Sequence, residues 1–203
     1  MFRSVKSQSI QGFTLVELLI TVVVAGVLMS IAAPNFSDAM QNSRQTVIVN
    51  ELMGALRYAR SEAIKQSTRT AVCARGADTS CGNDWNQGHI VFVDNGATPG
   101  DIDTDETVLR VSTAAEQGDI FNRARLVNTN EEPLPRPFIR FGPRGTSNWS
   151  GAGYFIVCDS RGDEFARAIN LTLSGDPRRA RYDDTDSLIN VFGETVSCDP
   201  DTA

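Results

Sequence analysis

Gly12-Phe13-Thr14-Leu15-Val16-Glu17-Leu18-Leu19 opens the stretch that decides the fold, and from Leu18 it continues as LLITVVVAGVLMSIAA to Ala33. Within that block only Thr21 and Ser30 are polar. Residues 13–33 number 21, roughly 31 Å of α-helix at about 1.5 Å per residue. The hydrocarbon core of a bilayer is about 30 Å thick, so the run is long enough for one crossing. A polar leader, MFRSVKSQSIQG at 1–12, precedes it with Arg3, Lys6 and no acid. Positive charge there holds the leader on the cytoplasmic side and directs the remainder outward.

Three readings fit a basic leader followed by an apolar run. One is a secretory signal peptide, with Ser30-Ile31-Ala32 as a small-x-small cleavage site. Another is a plain single-span anchor. The third turns on Glu17, a carboxylate at the mouth of the run that costs about 2.5–3.5 kcal/mol if it reaches the bilayer centre. Neither of the first two readings needs it. The ordered combination of basic leader, Gly12, Phe13, Glu17 and uninterrupted apolar block resembles the prepilin cleavage motif of type IV pilins and type II secretion pseudopilins. That resemblance implies cleavage after Gly12 by a membrane-embedded prepilin peptidase and N-methylation of the new terminus, Phe13. The helix then stays in the product. It also implies that Glu17 sets the register of assembly by pairing with the terminal amine of a neighbouring subunit, so that each charge offsets the other's desolvation. Pro34 stands where the family carries a proline that bends or loosens the helix.

Composition bounds the rest. The 203 residues carry 25 acids, 19 bases and one histidine, a formal charge of −6, so a chain given over to nucleic-acid binding is excluded and any basic site is local. One apolar block excludes a polytopic membrane protein. Loss of residues 1–12 removes two cations, Arg3 and Lys6, and moves the side-chain charge from −6 to −8. Hydrophobic content of 41 % with 22 % charged residues fits a folded protein, not a disordered one.

Beyond Pro34-Asn35-Phe36 the pattern changes. Val49, Leu52, Met53, Leu56, Ala59 and Ala63 recur at three- and four-residue steps, one apolar face of an amphipathic helix. Asn50, Glu51, Arg57, Arg60, Glu62 and Lys65 lie between them, and Glu62 with Lys65 makes a weak helical ion pair. The helix is expected to end near Gln66-Ser67, where β-branched Thr68 and Thr70 begin a strand. Residues 68–203 read as β-rich, with strands expected over 69–74, 89–94, 106–112, 138–141, 153–158, 166–173 and 179–182. Ile169, Leu171 and Leu173 alternate with Asn170 and Thr172, which predicts one buried and one wet face. His89-Ile90-Val91-Phe92-Val93 does not alternate and predicts a strand covered on both sides.

Leu56-Arg57-Tyr58-Ala59-Arg60-Ser61-Glu62-Ala63-Ile64 resembles the GspH/FimT branch of pilin-like proteins, as do Trp85-Asn86-Gln87-Gly88 with the strand after it, Ile139-Arg140-Phe141-Gly142-Pro143-Arg144-Gly145, and Phe155-Ile156-Val157-Cys158-Asp159. The fold expected is α+β, a type IV pilin fold. Its parts are a leader (1–12), a transmembrane or filament-core helix (13–34), an amphipathic helix (35–67) and an antiparallel β-rich head (68–203). The resemblance implies a minor pilin that helps initiate pilus assembly near the tip, or alternatively a type II secretion pseudopilin that supports protein export. Expected partners are other pilins through the N-terminal helix, the prepilin peptidase and the inner membrane. The chain is expected to be single-pass in the inner membrane with a periplasmic head, and then to enter a pilus or pseudopilus.

Cys73, Cys81, Cys158 and Cys198 contain no C-x-x-C pair, and one histidine does not complete a usual zinc site, so two disulfides are expected in an exported domain. Three connectivities exist. Cys73–Cys81, closing a short loop, and Cys158–Cys198, pinning the tail to a central strand, are preferred. Asp101-x-Asp103-x-Asp105-Glu106 has the acids of a calcium loop. It lacks the sixth-position glycine and twelfth-position glutamate of an EF-hand, and a solvated acidic turn is the reading. His89 is read as structural. No nucleophile elbow, phosphate loop or paired-carboxylate motif occurs, and neither an enzyme nor a cofactor is expected.

Near the C-terminus, Ser174-Gly175-Asp176-Pro177-Arg178-Arg179-Ala180-Arg181 places three guanidiniums within four residues. Such groups suit phosphates. Neutralising three phosphates gives a log K salt slope of about −2 to −3. FimT-type minor pilins carry a Gly-Arg-x-Arg motif that binds DNA for uptake. Arg179-Ala180-Arg181 is similar to its Arg-x-Arg part, with the glycine displaced to Gly175. The resemblance implies sequence-independent DNA binding by Arg178, Arg179 and Arg181. A solvated strand end with local ion pairs, Asp183 and Asp184 among them, is the other reading.

Overall fold

The computed structural model describes residues 13–113, 121–128, 131–135, 137–148, 152–172, 174–185, 187–190 and 193–199, with the backbone alone at 31–35, 78, 113, 121–128, 131–135 and 152. The leader 1–12, including Gly12, and the side chain of Pro34 lie outside the described residues. The chain divides into two compact units, 1–41 and 42–203.

One helix, α1, Leu15–Lys65, covers both helical segments expected from the sequence and is continuous across Pro34. Thr14 caps it: its Oγ1 accepts a hydrogen bond from the Glu17 amide at 3.2 Å, which satisfies one of the first-turn donors that have no partner within the helix. Glu17 lies in the first turn and Lys65 in the last, each favoured by the helix dipole. The C-terminus is a Schellman motif. Thr68 N donates to Ala63 O at 3.0 Å and Ser67 N to Ile64 O at 3.2 Å, with Ser67 at φ 51° in the left-handed position that glycine usually fills. Among the described residues no helix is long and apolar enough to cross a membrane.

The unit 42–203 holds the second part of α1 and the strands β1 Thr70–Arg75, β2 Cys81–Gly82, β3 Gly88–Val93, β4 Val108–Thr113, β5 Phe121–Asn128, β6 Glu131–Pro135, β7 Phe138–Phe141, β8 Ala152–Cys158, β9 Arg167–Leu171, β10 Pro177–Arg179, β11 Arg181–Tyr182 and β12 Leu188–Ile189. One antiparallel sheet runs β2-β1-β3-β4, with β7 also paired to β1. A second runs β10-β9-β8-β5-β6, and β11 with β12 forms a separate hairpin.

The main core lies between α1 and both sheets. Leu52, Met53, Ala55, Leu56, Ala59 and Ala63 of α1 meet Val72, Ala74, Val91, Ile139 and Phe141 of the first sheet and Phe155, Val157, Ile169 and Leu171 of the second. Trp85 fills the same core and meets Phe155 edge to face, with ring centroids 4.9 Å apart. Behind the first sheet Ala71, Cys73, Ile90 and Phe92 pack with Ile102 and Phe138, so β3 is covered on both sides as its unbroken apolar run predicts.

Two expectations are corrected. The second face of β9 is not wet: Leu188, Val196 and Cys198 of the tail pack there against Tyr154, Ile156 and Ala168. Asn170 is buried beneath that tail, its Nδ2 donating to Ile189 O at 3.2 Å. The strand expected over 179–182 is two strands. Arg179 pairs with Ile169 in the second sheet, whereas Arg181 pairs with Ile189 in the hairpin.

Ser67 generates a test, because a left-handed L-residue costs roughly 1–2 kcal/mol. Ser67→Gly is expected to stabilise the protein by about 0.5–1 kcal/mol, glycine's greater unfolded freedom taking back part of the gain. Thermal unfolding of the detergent-solubilised chain reads this as a higher melting temperature, and an unchanged or lower one contradicts the assignment.

Candidate assembly helix and anion-binding surface

Within the unit 1–41, Phe13, Leu15, Val16, Leu18, Leu19, Ile20, Val22, Val23, Val24, Val27, Leu28 and Met29 are each 52–80 % exposed, on every side of the helix. A helix apolar all round is a buried helix in its working environment. Burial is worth about 1.5–3 kcal/mol for each such large side chain. The two hydroxyls of the run are satisfied internally: Thr21 Oγ1 donates to Leu18 O at 2.8 Å and Ser30 Oγ to Val27 O at 2.7 Å. Neither therefore needs water or a partner when that surface is covered. Glu17 is the one charge in residues 13–30, and among the described residues nothing hydrogen-bonds its carboxylate.

In the unit 42–203 the three sequence-predicted arginines are all exposed but do not share a face. Arg178 stands opposite Asn170 and is ion-paired to Asp176, Nε to Oδ2 at 2.8 Å. Arg179 stands on the α1 side of the sheet, its Nη2 donating to Asn50 Oδ1 at 2.6 Å. Arg181 has left the sheet for β11. Their separation follows from strand geometry, since neighbouring residues point to opposite faces.

Two turns meet beside them. Pro143 and Arg144 occupy a turn closed by Gly145 N donating to Gly142 O at 2.8 Å, and Gly175 N donates to Thr172 O at 2.8 Å in the turn before β10. Gly175 has φ +74°, and a Cβ there would sit 2.3 Å from Gly145 O, so the turns touch backbone to backbone and only glycine fits. Arg60 of α1 spans both turns, with Nε donating to Gly145 O at 3.0 Å and Nη2 to Ser174 O at 3.4 Å.

A buried polar group ties α1 to the β8–β9 connection. Asp159 accepts from Gln45 Nε2 at 2.8 Å and from Arg161 Nη2 at 2.6 Å, while a second Arg161 bond runs from Nη2 to Asn42 Oδ1 at 3.0 Å. Burial alone would raise the Asp159 pKa. The hydrogen bonds and charge of Arg161, helped by Arg167, outweigh that and hold it below the usual carboxylate range.

A family model for the type II transport protein GspH matches residues 49–176, well over half of the chain. The chain belongs to the GspH family. A model of the prokaryotic N-terminal methylation motif matches residues 8–33. The crystal structure of the type IV minor pilin FimU of Pseudomonas aeruginosa strain PAO1 is 18 % identical with a TM-score of 0.52, covering 72 % of this chain and 93 % of FimU, a likeness of fold. The minor pseudopilin EpsH from the type 2 secretion system of Vibrio cholerae is 11 % identical with a TM-score of 0.43, covering 67 % of this chain and 95 % of EpsH. No curated protein matches in sequence. The α+β pilin fold thus stands.

The structure gives a physical account of the string around Arg60 in this GspH-family chain. Leu56, Ala59 and Ala63 are fully buried, Arg60 braces the two turns, and Ile64 Cδ1 closes on Gly145. Cys73 is bonded to Cys81 and Cys158 to Cys198, the pairs preferred from sequence. The acidic turn is not merely solvated. Glu106 accepts from the amides of Gly96 at 2.6 Å and Asp103 at 3.0 Å, Asp103 accepts from Thr98 N at 3.1 Å, and buried Asp94 accepts from Gly100 N at 2.9 Å. These carboxylates serve the loop's own backbone. Sequence reasoning missed Asp94, Gln45, Asp159 and Arg161, because nothing in their spacing shows that they are buried.

His89 is 7 % exposed in β3, opposite Ala74 and Ser112, and burial followed by the charge of Arg110 lowers its pKa to about 4. Between pH 6.5 and 4 the unfolded chain takes up a proton that the folded one refuses, so stability falls with pH across that window. The loss approaches about 3 kcal/mol at its acid end. Denaturant unfolding at pH 7 and pH 4.5 should show the drop, and His89→Gln should shrink the difference between the two pH values. An equal drop in both proteins would remove His89 as its source.

Proposed function

We propose that the chain is a minor pilin of a type IV pilus. In this reading the prepilin peptidase cleaves it after Gly12, Phe13 is N-methylated, and it enters the filament near the tip to help start assembly. Before assembly it is anchored by 13–34 in the inner membrane with the head in the periplasm. The observation that carries the reading is the helix apolar on every face, headed by Thr14 and one unpartnered carboxylate, inside a match to the N-terminal methylation motif. Such a surface is stable only in lipid or among like helices. Glu17 supplies the register by pairing with a neighbour's terminal amine, and Pro34 is the point of bending. The runner-up is a minor pseudopilin of a type II secretion system, which uses the same helix in a different machine.

A DNA-uptake role for Arg178, Arg179 and Arg181 is part of the proposal. Exposure of all three guanidiniums supports it, as does the suitability of guanidinium for phosphate.

Glu17→Ala is expected to reach the membrane but to be lost from sheared pili, read by immunoblot of both fractions; normal recovery in the pili counts against the register role. Arg179→Ala combined with Arg181→Ala is expected to abolish a low-salt gel shift with duplex DNA. A wild-type protein that gives no shift removes the uptake role and leaves the pilin role standing.

A further inference from the structure

Within the unit 1–41, α1 stops being apolar on every side after Pro34. At about 100° per residue, Ala39 and Met40 fall within about 60° of Phe36, whereas Ser37, Gln41 and Asp38 fall about 100°, about 140° and about 200° from it. The segment 36–41 is therefore half apolar and half polar. Phe36 is 69 % exposed and Met40 43 %, and Ala39 beside them is exposed as well. The polar half is bonded along its own side of the helix, with Gln41 Nε2 donating to Ser37 Oγ at 3.5 Å. Asp38 is the first charge after Glu17, and Phe36 is the first aromatic after Phe13.

Position decides what such a half-apolar turn meets. Phe36 stands 23 positions after Phe13, roughly 35 Å along a helix at about 1.5 Å per residue. A hydrocarbon core is about 30 Å thick, so with Phe13 at one boundary Phe36 lies in the interfacial layer beyond the other. An upright helix presents the apolar and polar halves of that turn to the same depth. A tilted helix lowers one side towards the acyl chains and raises the other, and interfacial side chains set the direction of tilt. Pro34 lacks an amide donor, which loosens the helix just before this segment.

We propose that Phe36, Ala39 and Met40 form an interfacial anchor at the boundary between acyl chains and headgroups of the periplasmic leaflet, a placement that rests on the inner-membrane anchoring proposed above. The helix tilts towards that side, and Ser37, Asp38 and Gln41 stay in water. An apolar helix face of this kind is buried about 5–10 Å into the boundary.

Tryptophan scanning of the full chain in phosphatidylethanolamine–phosphatidylglycerol vesicles tests this, with lipids brominated near the headgroup or near the chain ends as quenchers. The wild-type chain, with Trp85 and Trp149 of its own, supplies the background. Val23→Trp, in the middle of the apolar run, should lose most emission to the deep bromines. Its failure to be quenched overturns the anchoring reading and the interfacial face together. Phe36→Trp should lose most emission to the shallow bromines. Ala39→Trp and Met40→Trp should each lose more emission to them than Asp38→Trp, although both lie further along the helix. The Asp38 substitution itself favours burial of the polar side, so the expected order is obtained against that bias. Quenching that falls in sequence order, from Asp38→Trp to Ala39→Trp to Met40→Trp, belongs to an upright helix; it overturns the face and spares the anchor. No quenching of Phe36→Trp, Ala39→Trp or Met40→Trp in vesicles where Val23→Trp is quenched also overturns the face, and leaves that side of the helix to a neighbouring protein.

Discussion

The second part of α1 has to bury a single apolar stripe against two sheets at once, and the architecture of the head depends on how it does so. Ala55, Ala59 and Ala63 are wholly buried, and small side chains there let strands approach the helix closely from both sides. Leu56 supplies the volume between them, with Phe141 entering from one sheet and Phe155 from the other. Interiors are packed to crystal-like density, so the stripe admits little change in volume. Truncation of a residue such as Leu56 would leave a void that neither sheet could close alone.

Polar anchoring complements that packing. Asp159, Arg161, Gln45 and Asn42 fix the start of the packed stripe to the β8–β9 connection. Arg60 fixes a later point to the turns of Gly145 and Gly175. Burying such groups is costly unless they are bonded, which gives the arrangement directional preference that an apolar stripe lacks. The tail contributes in a different way. It covers the outer face of the second sheet and is fastened by Cys158–Cys198, with Cys198 N also donating to Asp163 Oδ1 at 2.6 Å. The GspH family match ends at residue 176, so this covering belongs to the portion of the chain beyond it.

Legibility from sequence followed the range of the forces involved. The long helix, the apolar run, the stripe at three- and four-residue steps and strands β1, β3, β7 and β8 were all readable, because hydrophobic periodicity is a local property. Strands β5 and β6 were not. Phe121-Asn122-Arg123-Ala124-Arg125 carries too much charge to read as a buried strand, and Glu131-Glu132-Pro133-Leu134-Pro135 holds two prolines, which local rules demote. It pairs nonetheless at the sheet margin, where β6 has a neighbour on one side only and a missing amide is tolerated. The arginine triplet was found, but its division between two sheets was not.

The sequence by itself determined that one helix with a fully apolar beginning and an amphipathic continuation carries a disulfide-bonded β-rich head, because run length, periodicity and cysteine count are written along the chain. Tertiary structure alone decided which polar groups meet. Gln45 and Asp159 are 114 residues apart, and so are Arg60 and Ser174. Only closure of both sheets on α1 brings them within hydrogen-bonding reach. For the same reason the turns of Gly145 and Gly175 touch, while Arg179 and Arg181 pair into different sheets: adjacency is set by backbone contact and pairing, and proximity in sequence does not report it.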